Sequence, residues 1–148
     1  MSERVMAETF GGSFTQQEPI PEAGIAAALT VLRHGRLHRY NTVAGEVAET
    51  ALLEEEFAAY VGAKYCLALA SGGAAMACAL RALQVKPGDP VLSNAFTLAP
   101  VPGAIASLGA RPVFVEVMED LTIDLAHLEA QATASGAGVL LLSHMRGH

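Results

Sequence analysis

The chain has 148 residues, 52% of them hydrophobic and 16% charged, enough for one folded domain that buries about two-thirds of its unfolded surface and too apolar for a disordered tail. Its formal net charge is −6 and its seven arginines and two lysines are scattered, which excludes DNA or RNA as the main partner. Cys66 and Cys78 match neither a zinc pattern nor a secreted disulfide framework and read as thiols in a reducing cytosol.

Along residues 1–21, Glu3, Arg4 and Glu8 leave no apolar core for a signal peptide, so cytoplasmic residence is expected. Gly11, Gly12, Ser13, Gln16, Gln17 and Pro19 make this stretch an extended arm, and residues 22–148 the domain proper. Pro21 suits a first helical turn, Ile25, Ala28, Leu29 and Leu32 recur at helical spacing, and Gly35 sits where that helix stops. Arg36 to Thr42 is polar and cationic, with His34 and His38 read as solvated or paired with acids. A second helix is predicted from about Ala44 to Val61, with Leu53, Phe57, Tyr60 and Val61 on one face, Glu54, Glu55 and Glu56 solvated, and Gly62 as its end.

Beyond Lys64 the pattern alternates: strand 65–70, helix 73–83, strand 91–93, helix about 100–108, strand 112–117, helix 125–134, strand 139–142. Short apolar strands alternating with helices imply an α/β fold, a three-layer sandwich with a largely parallel sheet and right-handed crossovers. Lys86 to Asp89 and Ser135-Gly136 supply return turns, and Asp124 caps the helix that follows it. Residues 91–110 carry no charge, yet Ser93, Asn94, Pro100, Pro102 and Gly103 break them, so they read as buried strand, loop and helix rather than a membrane span.

Ser71-Gly72-Gly73-Ala74 stands between a strand-like and a helix-like segment, where free backbone N–H groups and the partial positive charge of a helix start favour a phosphate. An ordinary tight turn explains the same four residues, but ligands of parallel α/β sheets bind beyond the carboxyl ends of the strands, and that rule selects loops 71–74, 93–99 and 143–148. Neither a Walker motif nor a Gly-x-Gly-x-x-Gly is present, and Ser71 lacks a Gly-x-Ser-x-Gly context. His144 and His148 follow a strand, where a four-residue spacing does not bring them together, so no metal is expected and His144 reads as a ligand contact.

Taken together the segments resemble the DegT/StrS-type sugar aminotransferases, fold-type I enzymes that use pyridoxal 5'-phosphate. The matching pieces run in order over residues 20–148: Leu53 to Ala58 with Gly62, Ser71 to Met76, Pro87-Gly88-Asp89, Asn94 to Thr97, Ala104-Ile105, Gly109 to Val115, Ile123-Asp124, and His144 to Gly147. The resemblance implies the N-terminal part of a pyridoxal-phosphate-dependent transferase-like large domain. It assigns cofactor binding to Gly72, Gly73, Ala74 and Leu98.

Three departures mark a divergent subgroup. Gly73 replaces the family's threonine and its hydroxyl, Leu98 replaces an aromatic ring that stacks on the cofactor, and Ser143 to Gly147 replaces the commoner Val-His-Leu-Tyr-Gly. The family's Schiff-base lysine and pyridine-pairing acid lie downstream of its His-x-x-Gly segment. Lys64 and Lys86 precede strands and so lie at the opposite edge of the sheet, Asp124 is a helix cap, and Glu116 and Asp120 read as solvent-facing residues near a strand end. The expectation is an N-terminal fragment, inactive alone and without catalytic residues of its own. The intact homodimer would aminate a nucleotide-linked keto-sugar or related cyclic ketone with glutamate or glutamine as donor, away from any membrane. Two alternatives stand beside it: a family dehydratase with histidine in place of the lysine, and a non-catalytic binding or regulatory protein.

Overall fold

Alternating side chains of a short apolar strand organise the C-terminal half of this computed structural model, which describes residues 11–13 and 15–147. The elements are α1 (Glu22–His34), α2 (Glu49–Val61), α3 (Gly72–Ala82), β1 (Pro90–Asn94), α4 (Pro100–Ser107), β2 (Arg111–Val115), α5 (Leu125–Ser135), β3 (Leu140–Leu141) and a 3-10 turn at Met145–Gly147. The chain divides after Glu56 into two units.

In the second unit the three strands are parallel in the order β2-β1-β3, with β1 paired from Pro90↔Arg111 to Asn94↔Val115 on one side and through Leu92↔Leu140 and Ser93↔Leu141 on the other. Successive residues of a strand point to opposite faces. Val91 accordingly packs with Ala77 and Leu80 of α3 and Ala104 and Ile105 of α4, whereas Leu92 packs with Val113, Val115 and, from α5, Leu128 and Ala132. This is the expected three-layer α/β arrangement. The chain leaves β1 for one edge across the α4 face and returns to the other edge across the α5 face, so the two crossovers share one hand.

The return into β1 is a close approach. Gly88 donates its N–H to the Gly109 carbonyl at 2.8 Å, Asp89 accepts from the Lys86 N–H at 2.8 Å, and a Cβ on Gly109 would meet Pro87 Cβ at 3.2 Å. Gly109 also holds φ at +72°, a left-handed conformation that costs an L side chain.

Segment 65–70, expected as the first strand, forms no strand in the structure. Its sides do alternate, with Cys66 and Ala68 half-buried and Tyr65 and Leu67 exposed at 78% and 55%, but β1, β2 and β3 pair only with one another. A strand exists only against a neighbour, whatever its local preference. Strand β2 stops at Val115 rather than 117, because Val117 bridges antiparallel to Ile123 and turns the chain into a small hairpin.

In the first unit, α1 ends on Gly35 at φ +73° with its N–H on the Val31 carbonyl, as the sequence suggests. Its apolar positions Ile25, Leu29 and Leu32 stay exposed. Helix α2 starts at Glu49 rather than Ala44, because Gly45 takes φ +87° in a turn closed by the Glu46 N–H on the Val43 carbonyl. Of α2 only Ala58 is buried, whereas Leu53, Phe57, Tyr60 and Val61, the expected apolar face, are exposed. Glu54 is not solvated: Arg39 donates to it bidentately at 2.9 and 2.6 Å. That hydrogen bond, and then the charge of the carboxylate, raise the Arg39 pKa above the usual arginine value. Arg36 pairs with Glu46 in the same unit.

The two glycine environments make a paired expectation. Gly109→Ala must place a methyl against Pro87 in a left-handed backbone and should lose more than about 1 kcal/mol, whereas Gly138→Ala, with nothing within 4 Å and ordinary φ, should be neutral or gain up to about 1 kcal/mol. Urea unfolding midpoints of the two variants check it, and equal midpoints would contradict the packing described.

Candidate functional site

The carboxyl end of the sheet is closed by one amide. Asn94, the last residue of β1, is 3% exposed and makes three side-chain hydrogen bonds, all to backbone. Its Nδ2 donates to the Phe96 carbonyl at 2.7 Å and to the Ser143 carbonyl at 3.1 Å, and its Oδ1 accepts the Ser143 N–H at 3.0 Å. The Ala95 N–H reaches the Val115 carbonyl at 2.8 Å, carrying the β1–β2 pairing one step beyond the strand. Loops 93–99 and 143–147 are thereby fixed to each other and to β2.

Over these strand ends lies a pocket of about 170 Å³ lined by Asn94, Ser143, His144 and Met145 together with Leu121 and Thr122 of the hairpin. The hairpin is built by the Met118 N–H on the Thr122 carbonyl at 2.8 Å, and by the Thr122 N–H and hydroxyl, both donating to Asp120 Oδ1 at 3.0 and 2.6 Å. Its tip, Leu121, holds φ at +71°. A bulky residue there is strained, and a strained residue on a pocket wall marks a place where shape is imposed rather than preferred.

At the start of α3, Ser71 is extended and its Oγ accepts the Ala74 N–H at 3.1 Å, an N-cap. The Gly72 and Gly73 N–H groups belong to the first turn and have no acceptor within the helix. A Cβ on Gly72 would meet nothing within 4 Å, and one on Gly73 only Ser71 Oγ at 3.8 Å, so the space above both is open. Because α3 packs on Val91 and turns back directly into β1, it runs against the strand and points its N-terminus to the carboxyl end. Thr97, in the loop after β1, has a buried Oγ1 with no partner, as has the fully buried Ser93.

Of the sequence-predicted cofactor residues, Gly72 and Gly73 have N–H groups without a helical acceptor, Ala74 has its N–H engaged by Ser71, and Leu98 is 61% exposed. None of the four lines the 170 Å³ pocket, whereas His144 does. His148 lies outside the described residues. Asp124 is the cap expected, its Oδ1 accepting the His127 N–H at 3.0 Å. Glu116 is exposed. Lys86 sits at the amino end of β1, away from the crevice, and Lys64 lies over the Tyr65 ring, 5.0 Å from its centre. Sequence reasoning missed the Asn94 clamp and the hairpin; the available signal was a polar amide ending an uncharged strand. Among the described residues, no group of three or more His, Cys, Asp and Glu side chains is placed to hold a metal, and no helix is long and apolar enough to cross a membrane.

A larger pocket, about 300 Å³, lies in the first unit beside His34, Arg36, His38 and Arg39. Its arginines are already neutralised by Glu46 and Glu54, His34 Nδ1 accepts the Arg36 N–H, and His38 stacks on Tyr40. The smaller pocket, at the strand ends, is where a parallel sheet gathers its loops.

Comparison with known proteins agrees with the α/β fold. The profile of the DegT/DnrJ/EryC1/StrS aminotransferase family matches residues 21–148. The chain is 36% identical over 129 residues to the UDP-2-acetamido-2-deoxy-3-oxo-D-glucuronate aminotransferase of Pseudomonas aeruginosa, covering 86% of this chain and 34% of that protein. It is 43% identical over 81 residues to the spore coat polysaccharide biosynthesis protein SpsC of Bacillus subtilis, covering 54% and 21%. Among solved structures, the PLP form of Spr1654 from Streptococcus pneumoniae superposes with a TM-score of 0.74 at 30% identity, over 87% of this chain and 31% of that one. The chain thus spans about a third or less of the length of these proteins.

The clamp is testable by itself. Asn94→Leu should cost about 1–3 kcal/mol for each buried backbone group it leaves without a partner, and Asn94→Asp, which keeps the acceptor but sets a carboxylate oxygen against two carbonyls, should cost nearly as much. Urea midpoints at unchanged slope measure both; an aspartate variant as stable as the parent would show that the amide donors hold nothing.

Proposed function

The chain belongs to the DegT/DnrJ/EryC1/StrS aminotransferase family, and from that premise we propose that it supplies the phosphate-binding end of the large domain of a pyridoxal-phosphate-dependent sugar aminotransferase. The observation that carries this reading is the start of α3, where two glycine N–H groups lack helical acceptors at the carboxyl end of the sheet and the room a side chain would occupy on each glycine is empty. The chain's residues fit the group. In this reading the Gly72 and Gly73 N–H groups and the helix's partial positive charge hold the phosphate. Ser71 orients that turn through Ala74, and the orphaned Thr97 hydroxyl gains the partner it lacks. Leu98 offers the cofactor ring an apolar side chain, and His144 contributes to the substrate wall.

Bound there, pyridoxal phosphate supplies the electron sink that lets an amino group pass from donor to acceptor. This chain's share is to bind, orient and exclude water. Lys86 at the amino end of β1 and Lys64 over Tyr65 are unsuited to the covalent role, so we assign the lysine and its partner acid to the part of the relatives that the chain does not span. The substrate class follows the relatives: the Pseudomonas aeruginosa protein is named for a UDP-linked keto-sugar. We assign the whole protein a nucleotide-linked keto-sugar or related cyclic ketone, glutamate or glutamine as donor, a homodimeric assembly and a cytoplasmic setting.

Two substitutions at one position test the phosphate site in the full-length protein. Gly73→Thr fills open space with a hydroxyl and should tighten pyridoxal phosphate binding about tenfold or more, the worth of one hydrogen bond to a charged group. Gly73→Pro deletes one N–H of the first helical turn and should weaken it by at least a similar factor. Equilibrium dialysis reads both, and unchanged binding in both would refute the assignment.

A further inference from the structure

His127 joins helix α5 to the base of the hairpin. Its Nδ1 accepts the Glu116 N–H at 2.9 Å, while the Asp124 N–H donates to the Glu116 carbonyl at 3.0 Å and the Asp124 carboxylate accepts the His127 N–H at 3.0 Å. Both backbone groups of Glu116, where the hairpin leaves β2, are therefore held by the first turn of α5. A ring nitrogen that accepts an N–H carries no proton, so the hydrogen of the neutral ring is on Nε2; the Gln131 amide, whose Nε2 stands 2.9 Å away, satisfies that hydrogen once it is turned about its last bond so that Oε1 takes the place of Nε2.

We infer that His127 is a positioning residue for the strand-end pocket: its neutral ring holds the Glu116 N–H and with it the 116–123 hairpin, and protonation of the ring releases that hold. An imidazolium has hydrogens on both nitrogens. Its Nδ1–H would confront the Glu116 N–H, leaving only the Asp124 hydrogen bond to tie the hairpin base. Leu121, Thr122 and Ile123, which wall the pocket, would keep the hairpin's own bonds and the Ile123 packing but lose one of the two ties between α5 and Glu116.

The charged groups around the ring are few. Strand β1, packed against α5, has none, and β2 has Arg111 at its far end and Glu116 just past its near end. Helix α5 adds Glu129 and its cap Asp124, and the hairpin adds Glu119 and Asp120. His127 is half-buried and Glu116 exposed, so protons reach the ring without unfolding. That this pocket receives the keto substrate rests on the functional reading above; the latch rests on the hydrogen bonds alone.

The test is hydrogen exchange resolved to the Glu116 amide in the full-length protein at about pH 8 and about pH 5.5, corrected for intrinsic exchange, across the range in which histidines titrate. The parent protein should lose about tenfold in protection on acidification. His127→Asn, whose Oδ1 replaces Nδ1 as an acceptor that does not titrate, should stay protected at both pH values. His127→Leu should be unprotected at both. A parent with no pH dependence, an asparagine variant that follows the parent, or a leucine variant protected like the parent at about pH 8 would each overturn the inference. Pyridoxal phosphate uptake measured on the same samples keeps the two readings apart. Failure to take it up in all three proteins would remove the aminotransferase assignment, while the exchange ratios would still decide the latch.

Discussion

The strand-end architecture depends on the side chain of Asn94, which is 3% exposed and makes three hydrogen bonds to the backbone of the two loops beside it. A buried amide is costly unless fully paired, and here full pairing is possible only if loops 93–99 and 143–147 stand at one separation and one height above the sheet. The desolvation that makes the residue expensive is thus what makes it specific. An apolar residue at the end of β1 would fill the space and leave both loops free to choose their own paths.

Around this clamp the two faces of the sheet have separate tasks. The α3–α4 face gathers the larger apolar cluster and delivers the start of α3, with its open glycine turn, to the carboxyl edge. The α5 face is smaller, and its first turn, Asp124 and His127, is bonded directly to the segment leaving β2. One helix therefore begins with N–H groups that lack helical acceptors and the other is bonded to the wall of the strand-end pocket. The N-terminal unit contributes charge pairs within itself and a run of uncovered apolar positions on α1.

What the sequence made legible was local. Pro21, Gly35 and Gly62 mark helix ends through their own backbone preferences and Asp124 through its side-chain oxygen, and the helices end at or beside them. The positions of three strands near 91–93, 112–117 and 139–142 and the parallel three-layer plan were legible too, because apolar runs between helices leave few other arrangements, whereas their order in the sheet was not. What was not legible depended on partners distant in sequence. Segment 65–70 has the composition of a strand yet pairs with none of β1, β2 and β3, Glu54 looks like one of three solvated glutamates until Arg39 comes back to it, and Asn94 declares its role only when Ser143 arrives 49 residues later. The hairpin hides for another reason: Leu121 adopts a conformation its residue type disfavours, so no turn rule points to it.

The central claim, that this chain holds the phosphate of pyridoxal phosphate on the first turn of α3, is most directly tested by a crystal structure of the full-length protein grown with the cofactor. The account requires phosphate oxygens at about 2.7–3.2 Å from the backbone nitrogens of Gly72 and Gly73, with Thr97 Oγ1 in contact. A cofactor bound elsewhere, with the glycine turn left to water and Thr97 still without a partner, would contradict it.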